Sequence, residues 1–296
     1  MIREFLLGDN PFIGVSHLAR EKAREETREN LVENKIRVIE AAVNGGATGF
    51  TFSSHQSNLE LLTELSVSRA DLLNALNYYI LFPCPQSYVR KTNIKGTPAF
   101  LTSTLSKMVH KPQAILSTLI SLKLEKLAGP FAEMELAPYL EILPKERIKA
   151  ILLHEIVTEL TMAFDLGDSL IFLANYVKDK IGVGFGLETR NLGHLDRWMS
   201  VTSYYPEYLM APINPIGYQM APSKETTERS MEKLGDKAKI VAINVMASGA
   251  VSLGEAISYL ARFEESLYAV TSASVNPYRI RQNFCHLSRM FMQDRA

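Results

Sequence analysis

The sequence predicts a closed barrel of eight parallel strands, the (β/α)8 or TIM barrel, and two observations favour that fold class. Eight short apolar segments recur along the 296 residues, and most are followed by a segment whose apolar residues have helical spacing. Strands that are apolar along their whole length are typical of a parallel sheet with a covered outer face. A doubly wound open sheet is the alternative, but its first strand usually leads into GxGxxG, and this chain has GDNPFIG at 8–14.

The predicted strands are spaced so that a helix fits between most neighbours, as a single barrel domain over residues 1–296 requires. Each strand is a short, mainly apolar run that ends at polar residues, glycine or proline. The predicted strands are residues 4–7, 49–52, 75–81, 150–153, 182–187, 208–213, 240–245 and 267–271.

The predicted helices follow from apolar spacing and from start and stop signals. They include residues 31–43, a helix that opens at Ser57, and a long apolar helix at 160–177. The last two helices have the clearest start signals, which are a capping-box pattern in one and an N-cap followed by proline in the other. These signals are Ser252 with Glu255, and Asn276 with Pro277.

Composition limits the classes of partner. The chain has 32 Lys and Arg against 32 Asp and Glu, so it has no basic surplus to neutralise the phosphates of a nucleic acid. Two cysteines, Cys84 and Cys285, do not make a disulfide framework. No apolar run is long enough to span a bilayer, and the first residues do not resemble a signal peptide. We therefore expect a cytoplasmic protein that acts on a small molecule, with neither nucleic acid nor membrane as partner.

One segment, residues 82–148, is much longer than a single helix needs and contains seven prolines. Because it leaves the carboxyl end of the third strand, it is positioned to cover the mouth of the barrel as a lid. A subunit contact is the alternative interpretation. The apolar stretch at 100–143 would then be the surface through which two copies of the chain form a homo-oligomer.

Polar side chains cluster where the predicted strands end, which is where barrel enzymes place their active sites. His55, His154, Glu155 and Glu188 are the titratable candidates for acid–base catalysis. His154 could instead donate to a neighbouring carbonyl, and Glu155 could form an ion pair outside the pocket. A divalent metal held by His17, His55, Asp9 and Glu188 is a further alternative, but their spacing is not diagnostic, and we expect no metal site.

The segment after the eighth strand has the most specific pattern. A helix amino terminus offers backbone N–H groups and a positive dipole end to an anion. Ser274 adds a hydroxyl group, and Arg279 adds a guanidinium group one turn into the helix. Ser248 lies in a small loop after the seventh strand. Barrels often bind a phosphate with the loops after strands seven and eight. An ordinary helix start with a solvated arginine is the alternative.

The residues from Ser274 to Asn283, with RIRQN at 279–283, resemble the coenzyme-binding segment of the aldo-keto reductase superfamily. The resemblance implies that Ser274 and Arg279 bind the adenosine phosphate of NADP(H) and that Asn283 contacts the adenine. Weaker similarities include Leu153-His154 and the segments 186–191, 211–215 and 245–249, which place Thr189 and Asn214 in the cofactor site.

The sequence also departs from that family, whose members reduce carbonyls with an aspartate, a tyrosine, a lysine and a histidine. Thr51 stands in the place of the aspartate, His55 or Gln56 in that of the tyrosine, and Cys84 near that of the lysine. Only the histidine has a counterpart, His154. Glu188-Thr189 replaces the Ser-Asn pair that holds the nicotinamide carboxamide.

Three functions are compatible with these residues. The first is an NADP(H)-binding oxidoreductase that acts on a small carbonyl compound, with His154 at the substrate oxygen and His55 as proton donor. The second is a non-redox lyase, isomerase or hydrolase, with or without a metal, that uses Glu188, Glu155 and His154 on a small phosphorylated substrate. The third is a catalytically inert ligand-binding barrel.

Overall fold

The structure is a computed structural model that describes residues 2–13, 31–84 and 128–292. Its centre is a closed barrel of eight parallel strands, in which each strand pairs with the next and the first pairs with the last. The predicted fold class is therefore confirmed. The strands are β1 (Glu4–Gly8), β2 (Gly49–Ser53), β3 (Asn77–Phe82), β4 (Ile148–Leu153), β5 (Gly184–Glu188), β6 (Tyr208–Pro212), β7 (Lys239–Ile243) and β8 (Leu267–Ser272).

Ten α-helices are found among the described residues, and none of them is both long and apolar enough to cross a bilayer. Short 3₁₀ or π segments lie beside several of them. The α-helices are α1 (Val32–Gly45), α2 (Gln56–Ser68), α3 (Ala70–Ala75), α4 (Ala128–Ile142), α5 (Glu155–Ala163), α6 (Gly167–Tyr176), α7 (Leu192–Thr202), α8 (Lys224–Leu234), α9 (Leu253–Leu260) and α10 (Pro277–Met292).

The predicted helix at 160–177 is wrong, because two helices, α5 and α6, occupy this part of the chain. Asp165 lies between them with a φ of 53°, in the left-handed region, which a continuing helix cannot contain. Both helices are rich in apolar residues, so the apolar pattern alone does not reveal the break. The predicted strand boundaries differ from the observed ones by at most two residues.

Both predicted helix starts are confirmed. In α9 the Ser252 hydroxyl accepts from the Glu255 amide at 3.3 Å, and the Glu255 carboxylate accepts from the Ser252 amide at 3.0 Å. At α10 the Asn276 side chain accepts from the Arg279 amide at 3.0 Å, and Pro277 is the first helical residue. These caps satisfy amide groups that would otherwise have no intrahelical partner.

The apolar residues divide into an outer and an inner core, as strand alternation in a barrel requires. Outward residues such as Phe50, Phe52 and Ile80 pack against the helices. The inner core is a smaller cluster inside the barrel: Leu6, Tyr79, Leu81, Ala150, Leu152, Tyr208, Met210, Val241 and Ala269. The barrel is therefore filled below its mouth, and barrels of this kind bind their ligands at the carboxyl ends of the strands.

The glycines of β5 allow close packing between neighbouring strands. A Cβ added to Gly184 would lie 2.7 Å from the Lys149 carbonyl oxygen, and one added to Gly186 would lie 2.8 Å from the Tyr208 carbonyl oxygen. Both values are shorter than any real Cβ contact, so side chains at these positions would push neighbouring strands apart. The glycines serve packing and do not form a phosphate-binding loop.

The described end of the insertion, α4, lies against the barrel beside β2 and β3. The Phe131 ring packs against Phe82 at 6.4 Å between centroids, and the Tyr139 ring against Phe52 at 5.6 Å. The Tyr139 hydroxyl donates to the His55 carbonyl oxygen at 3.0 Å, which joins α4 to the loop after β2. The predicted lid and subunit surface lie mostly at 85–127, outside the described residues, and stay predictions.

We expect Gly186→Ala to destabilise the barrel. The new methyl group would overlap Leu152 and lie 2.7 Å from the Tyr208 Cβ, and such overpacking typically costs about 1–3 kcal/mol or more. Gly254→Ala, in α9, is the matched control, because nothing lies within 4 Å of its added Cβ, and alanine there should be neutral or stabilising. Urea unfolding measures both, and equal midpoints for the two variants would contradict the packing account.

Candidate active site at the carboxyl ends of the strands

Glu188, the last residue of β5, lies at the mouth of the barrel and is only 8% exposed. Its Oε2 accepts a hydrogen bond from the Glu155 backbone amide at 3.1 Å. That amide belongs to the first residue of α5, so the carboxyl group occupies the amino terminus of a helix. The predicted position of Glu188 at the mouth agrees with this geometry.

Burial raises the pKa of Glu188 to about 8, and the negative charges of Glu155 and Asp9 raise it as well. The hydrogen bond from the Glu155 amide and the charge of Arg190 oppose this shift without cancelling it. At pH 7 the carboxyl group is therefore mostly protonated, and it can both donate a proton and, after losing one, accept a proton near neutral pH.

Glu155, by contrast, forms an ion pair with Arg190. The Arg190 Nε lies 2.5 Å from Glu155 Oε2, and the Glu155 side chain is 13% exposed against 41% for Arg190. The pair joins the second residue after β4 to the second residue after β5. Glu155 therefore acts on Glu188 through its amide and its charge, whereas Glu188 carries the exchangeable proton.

His154 lies between the end of β4 and the start of α5, and it caps that helix. Its Nδ1 accepts from the Ile156 backbone amide at 3.3 Å, so the proton of the neutral ring is on Nε2. Burial lowers the pKa of His154, which favours the neutral ring. The residue can therefore offer a neutral N–H donor to a ligand.

His55 has the same arrangement at the end of β2. Its Nδ1 accepts from the Ser57 amide at 3.1 Å, so it caps α2, which begins at Gln56 and not at Ser57 as predicted. Two histidines thus follow two strands of the barrel, each with Nδ1 engaged by the helix that it caps. The engaged Nδ1 fixes the orientation of each ring, and on His154 it leaves Nε2 as the atom available to a ligand.

Asp9 follows β1 and is buried in a network with the start of α2. Its Oδ2 accepts from the Ser53 amide at 2.8 Å and from Asn58 Nδ2 at 2.7 Å. Burial raises the pKa of Asp9, against the effect of these hydrogen bonds. Asp9 lies close enough to Glu188 to influence that group, although the two do not share a hydrogen bond.

Lys35 and Asn58 belong to this network, and the sequence interpretation missed both. Lys35 is 3% exposed, and its Nζ donates to the Ser57 hydroxyl at 2.5 Å. Burial lowers the pKa of Lys35, while the charges of Glu60 and Asp9 raise it. The sequence does contain one indication that Lys35 has a polar partner. It lies three residues before Val38 on the buried face of α1, where a lysine needs such a partner.

Two side chains of the predicted anion site, Ser274 and Arg279, lie after β8. Ser274 is half-buried and Arg279 is exposed, and within the described chain no carboxylate pairs with this guanidinium. The Ser274 oxygen accepts from the Asn276 amide at 3.1 Å, which leaves its hydroxyl proton to donate elsewhere. The donor set of a guanidinium and a hydroxyl suits a phosphate group.

The expectation of several free backbone amides at the start of α10 needs correction. Pro277 has no N–H, the Arg279 amide donates to Asn276, and the Ile280 amide donates to the Asn276 carbonyl oxygen. Of the first helical residues, only Tyr278 keeps an amide without a partner among the described residues. The N-cap residue Asn276 therefore engages the backbone amides that the predicted anion site would use.

Three of the predicted cofactor residues are buried and engaged by the protein itself. Asn283 is 6% exposed and donates to the Ser272 hydroxyl at 3.0 Å. Thr189 donates to Glu159 and accepts from the Asn191 amide at 2.9 Å. Asn214 closes a loop through Tyr218, by bonds of 2.8 Å in both directions. The structure does not bring these three side chains to an open surface.

Ser248, the remaining cofactor candidate, is half-buried in the loop after β7. Ala247 and Ser248 both have positive φ angles, 47° and 58°, and Gly249 follows with 90°. Three successive residues with positive φ form a tight turn at this position.

No three His, Cys, Asp or Glu side chains within residues 2–13, 31–84 and 128–292 come together as metal ligands. His55, Asp9 and Glu188, three of the four residues of the metal alternative, belong to those ranges. His17 lies outside the described residues, so that alternative is not tested.

Comparison with known proteins identifies the fold. No protein-family model matches the sequence, and no curated protein matches it. Among solved structures, a candidate aldo-keto reductase from Pseudomonas aeruginosa matches with a TM-score of 0.60 at 14% identity, over 98% of this chain and 91% of that one. An aldo-keto reductase from a Medee basin deep-sea metagenome library matches with a TM-score of 0.53 at 14% identity, over 96% and 85%. Aldose reductase from Giardia lamblia matches with 0.51 at 11%, over 97% and 87%. The chain therefore has the fold of the aldo-keto reductases, as the resemblance in its sequence implies.

The pH dependence of stability tests the state of Glu188. Because its pKa is raised from 4.5 to about 8, the folded protein keeps a proton that the unfolded chain releases. The stabilising contribution of that proton is complete below about pH 4.5 and is lost as pH rises through about 8. We expect the free energy of unfolding of the wild type to fall between these values by roughly 1–4 kcal/mol relative to Glu188→Gln.

Urea unfolding of both proteins across this pH range measures the difference. Glu232→Gln, which removes an exposed carboxyl group from α8, is the matched control and should keep the pH dependence of the wild type. Parallel curves for the wild type and Glu188→Gln would show that Glu188 is ionised in the folded protein, against this account.

Proposed function

We propose that the protein is an NADP(H)-dependent oxidoreductase of the aldo-keto reductase fold that acts on a small carbonyl compound. The observation that carries this proposal is the buried carboxyl group of Glu188, which keeps its proton near neutral pH at the mouth of the barrel. The sequence lacks the tyrosine and lysine with which the resembling family protonates a carbonyl oxygen. Glu188 supplies an acid of suitable pKa in their place.

His154 is the second residue of the proposed acid–base pair. Its Nδ1 is engaged with the Ile156 amide, so its Nε2–H is the donor that would bind the carbonyl oxygen of the substrate. Burial, which lowers the pKa of His154, keeps this donor neutral, and Glu188 then delivers the proton. His55, expected as proton donor from sequence, lies after β2 with its Nδ1 engaged by the Ser57 amide, and Glu188 takes the role of proton donor in this proposal.

NADPH would supply the hydride that the carbonyl carbon receives. On the protein side, Arg279 and Ser274 have the donors that a phosphate group of the coenzyme requires, and both are accessible beside β8. Thr189 and Asn283 are engaged with protein groups, so nearby main-chain groups or Ser248 would have to replace the contacts that the resemblance implies for them. The hydrogen-bond donors after β8, Arg279 and Ser274, thus fit the coenzyme better than Thr189 after β5 does.

A second candidate function is non-redox acid–base catalysis on a small phosphorylated substrate. It is favoured by the same carboxyl group, since an acid with a pKa near 8 beside the fixed charge of Glu155 can transfer protons without a coenzyme. Arg279 and Ser274 would then bind the substrate phosphate. The two functions differ in whether NADPH binds.

We expect NADPH to bind and its fluorescence to change, and Arg279→Ala to weaken binding by about 10- to 100-fold, the worth of charged hydrogen bonds to a phosphate. Arg281→Ala removes the same charge from an exposed position two residues along α10 and is the matched control, with binding close to that of the wild type. Equal losses in the two variants would indicate only non-specific attraction, and no binding in the wild type would favour the non-redox function.

Turnover separates a reductase from an inert binding barrel. With a panel of small carbonyl compounds, we expect NADPH oxidation by the wild type, and a large loss of kcat in Glu188→Gln with little change in NADPH affinity. NADPH binding without oxidation of any panel member would favour the inert barrel.

A further inference from the structure

The solvent-facing side of α5 is apolar, which is the reverse of the usual arrangement on a surface helix. Ile156, Leu160 and Phe164 recur at every fourth residue along α5 and its C-cap, so they share one face. They are 47%, 49% and 68% exposed, and Leu166, in the turn into α6, is 49% exposed. These four residues are called the α5 stripe below.

The buried side of α5 carries polar residues instead. Thr158 and Thr161 are buried, and their hydroxyl groups donate to the carbonyl oxygens of Leu153 at 3.2 Å and Val157 at 2.7 Å. The first amide of α5 also donates to Glu188, which fixes the start of the helix on the barrel. The helix therefore cannot turn its apolar face inward without breaking these bonds, and only atoms outside the described chain can bury the stripe.

The α5 stripe differs from the other exposed apolar residues in being continuous. Val67 on α2 and Val201 on α7 are more exposed, but neither has another large exposed apolar residue three or four positions away on its helix. Single exposed apolar residues are ordinary, whereas a contiguous apolar patch with a polar edge usually marks a contact surface.

Complementary polar groups lie at the two ends of the stripe. At the amino-terminal end Arg190 binds Glu155 through Nε, and its terminal nitrogens have no hydrogen-bond partner within the described chain. At the other end Asp165 and Asp168 are exposed, and neither pairs with a cation among the described residues. A second copy placed antiparallel would bring the Arg190 nitrogens of each copy to the acidic end of the other.

The stripe is also suited to pairing with itself. In an antiparallel pair of α5 helices Leu160 lies at the two-fold axis, and Ile156 of each copy faces Phe164 of the other. A medium-sized side chain thus meets a large one at both ends. The chain has 32 basic and 32 acidic residues, so two copies do not repel each other through net charge.

We propose that the protein forms a two-fold symmetric dimer in which the α5 stripe packs antiparallel against the stripe of a second copy. The stripe forms the apolar centre of the interface, and Arg190, Asp165 and Asp168 form part of its polar rim. Because α5 begins directly after His154, the interface lies beside the candidate active site of each copy. The dimer does not depend on the function proposed above, and its surface differs from the apolar stretch at 100–143 that the sequence suggests.

Sedimentation equilibrium of the full chain at micromolar concentrations tests this dimer. We expect a dimeric wild type, and we expect Leu160→Glu and Leu160→Lys each to weaken the dimer by roughly 30-fold or more, since like charges then meet at the two-fold axis. An equimolar mixture of the two variants should restore the dimer, because a glutamate then faces a lysine. Val67→Glu, a change of the same kind at an isolated exposed residue of α2, is the matched control and should stay dimeric.

Restoration in the mixture is specific to the antiparallel arrangement, since neither a folding defect nor a contact elsewhere would produce it. Monomeric variants that stay monomeric when mixed, or a dimer that persists in each variant alone, would overturn the proposal. A monomeric wild type would overturn it as well. A lower Tm of Leu160→Glu would in that case indicate that residues 85–127 of the same chain cover the stripe, and an unchanged Tm that it faces solvent or a different protein.

Discussion

The carboxyl group of Glu188 connects the fold of this protein to its chemistry. It lies at the end of β5, almost entirely buried, and accepts from the first amide of α5, which follows β4. The barrel imposes this contact, because β4 and β5 are neighbours and both end at the mouth. Burial raises the pKa of Glu188, and the adjacent Glu155 raises it further although Arg190 partly neutralises that charge. A reactive proton near neutral pH follows from the fold.

The same few residues cap helices and form the site. His154 and Glu188 together accept from the first two amides of α5, and His55 does the same for an amide of α2. Capping fixes the Nδ1 of each ring, and on His154 it leaves Nε2 to a ligand. A role in helix capping and a role in catalysis are therefore compatible here, since the cap orients the ring that the substrate would contact.

Much of the fold could be predicted from the sequence, because apolar runs and capping patterns are local. The eight strands, the capping box at Ser252 and the cap at Asn276 are examples. The division of residues 160–177 into two helices could not be predicted, since both helices are apolar and the break depends on Asp165. The fold class itself followed from the order of the elements.

The site was predicted less completely, because pairing across strands is not visible in a linear pattern. Position at a strand end placed Glu188 and His154 at the mouth, yet it did not show that Arg190 pairs with Glu155. The similarity of the last segment to a coenzyme site did not show that Asn283 bonds inward to Ser272. Side-chain engagement of this kind depends on three-dimensional neighbours.

The state of Glu188 can be observed directly by ¹³C NMR of protein labelled at the glutamate side-chain carboxyl carbon. The resonance that disappears in Glu188→Gln identifies the group, and its chemical shift follows ionisation as pH is changed. The account predicts a midpoint near pH 8 that moves down in Glu155→Gln, where a neighbouring negative charge is removed. A midpoint near 4.5, the ordinary value for a glutamate, would contradict it.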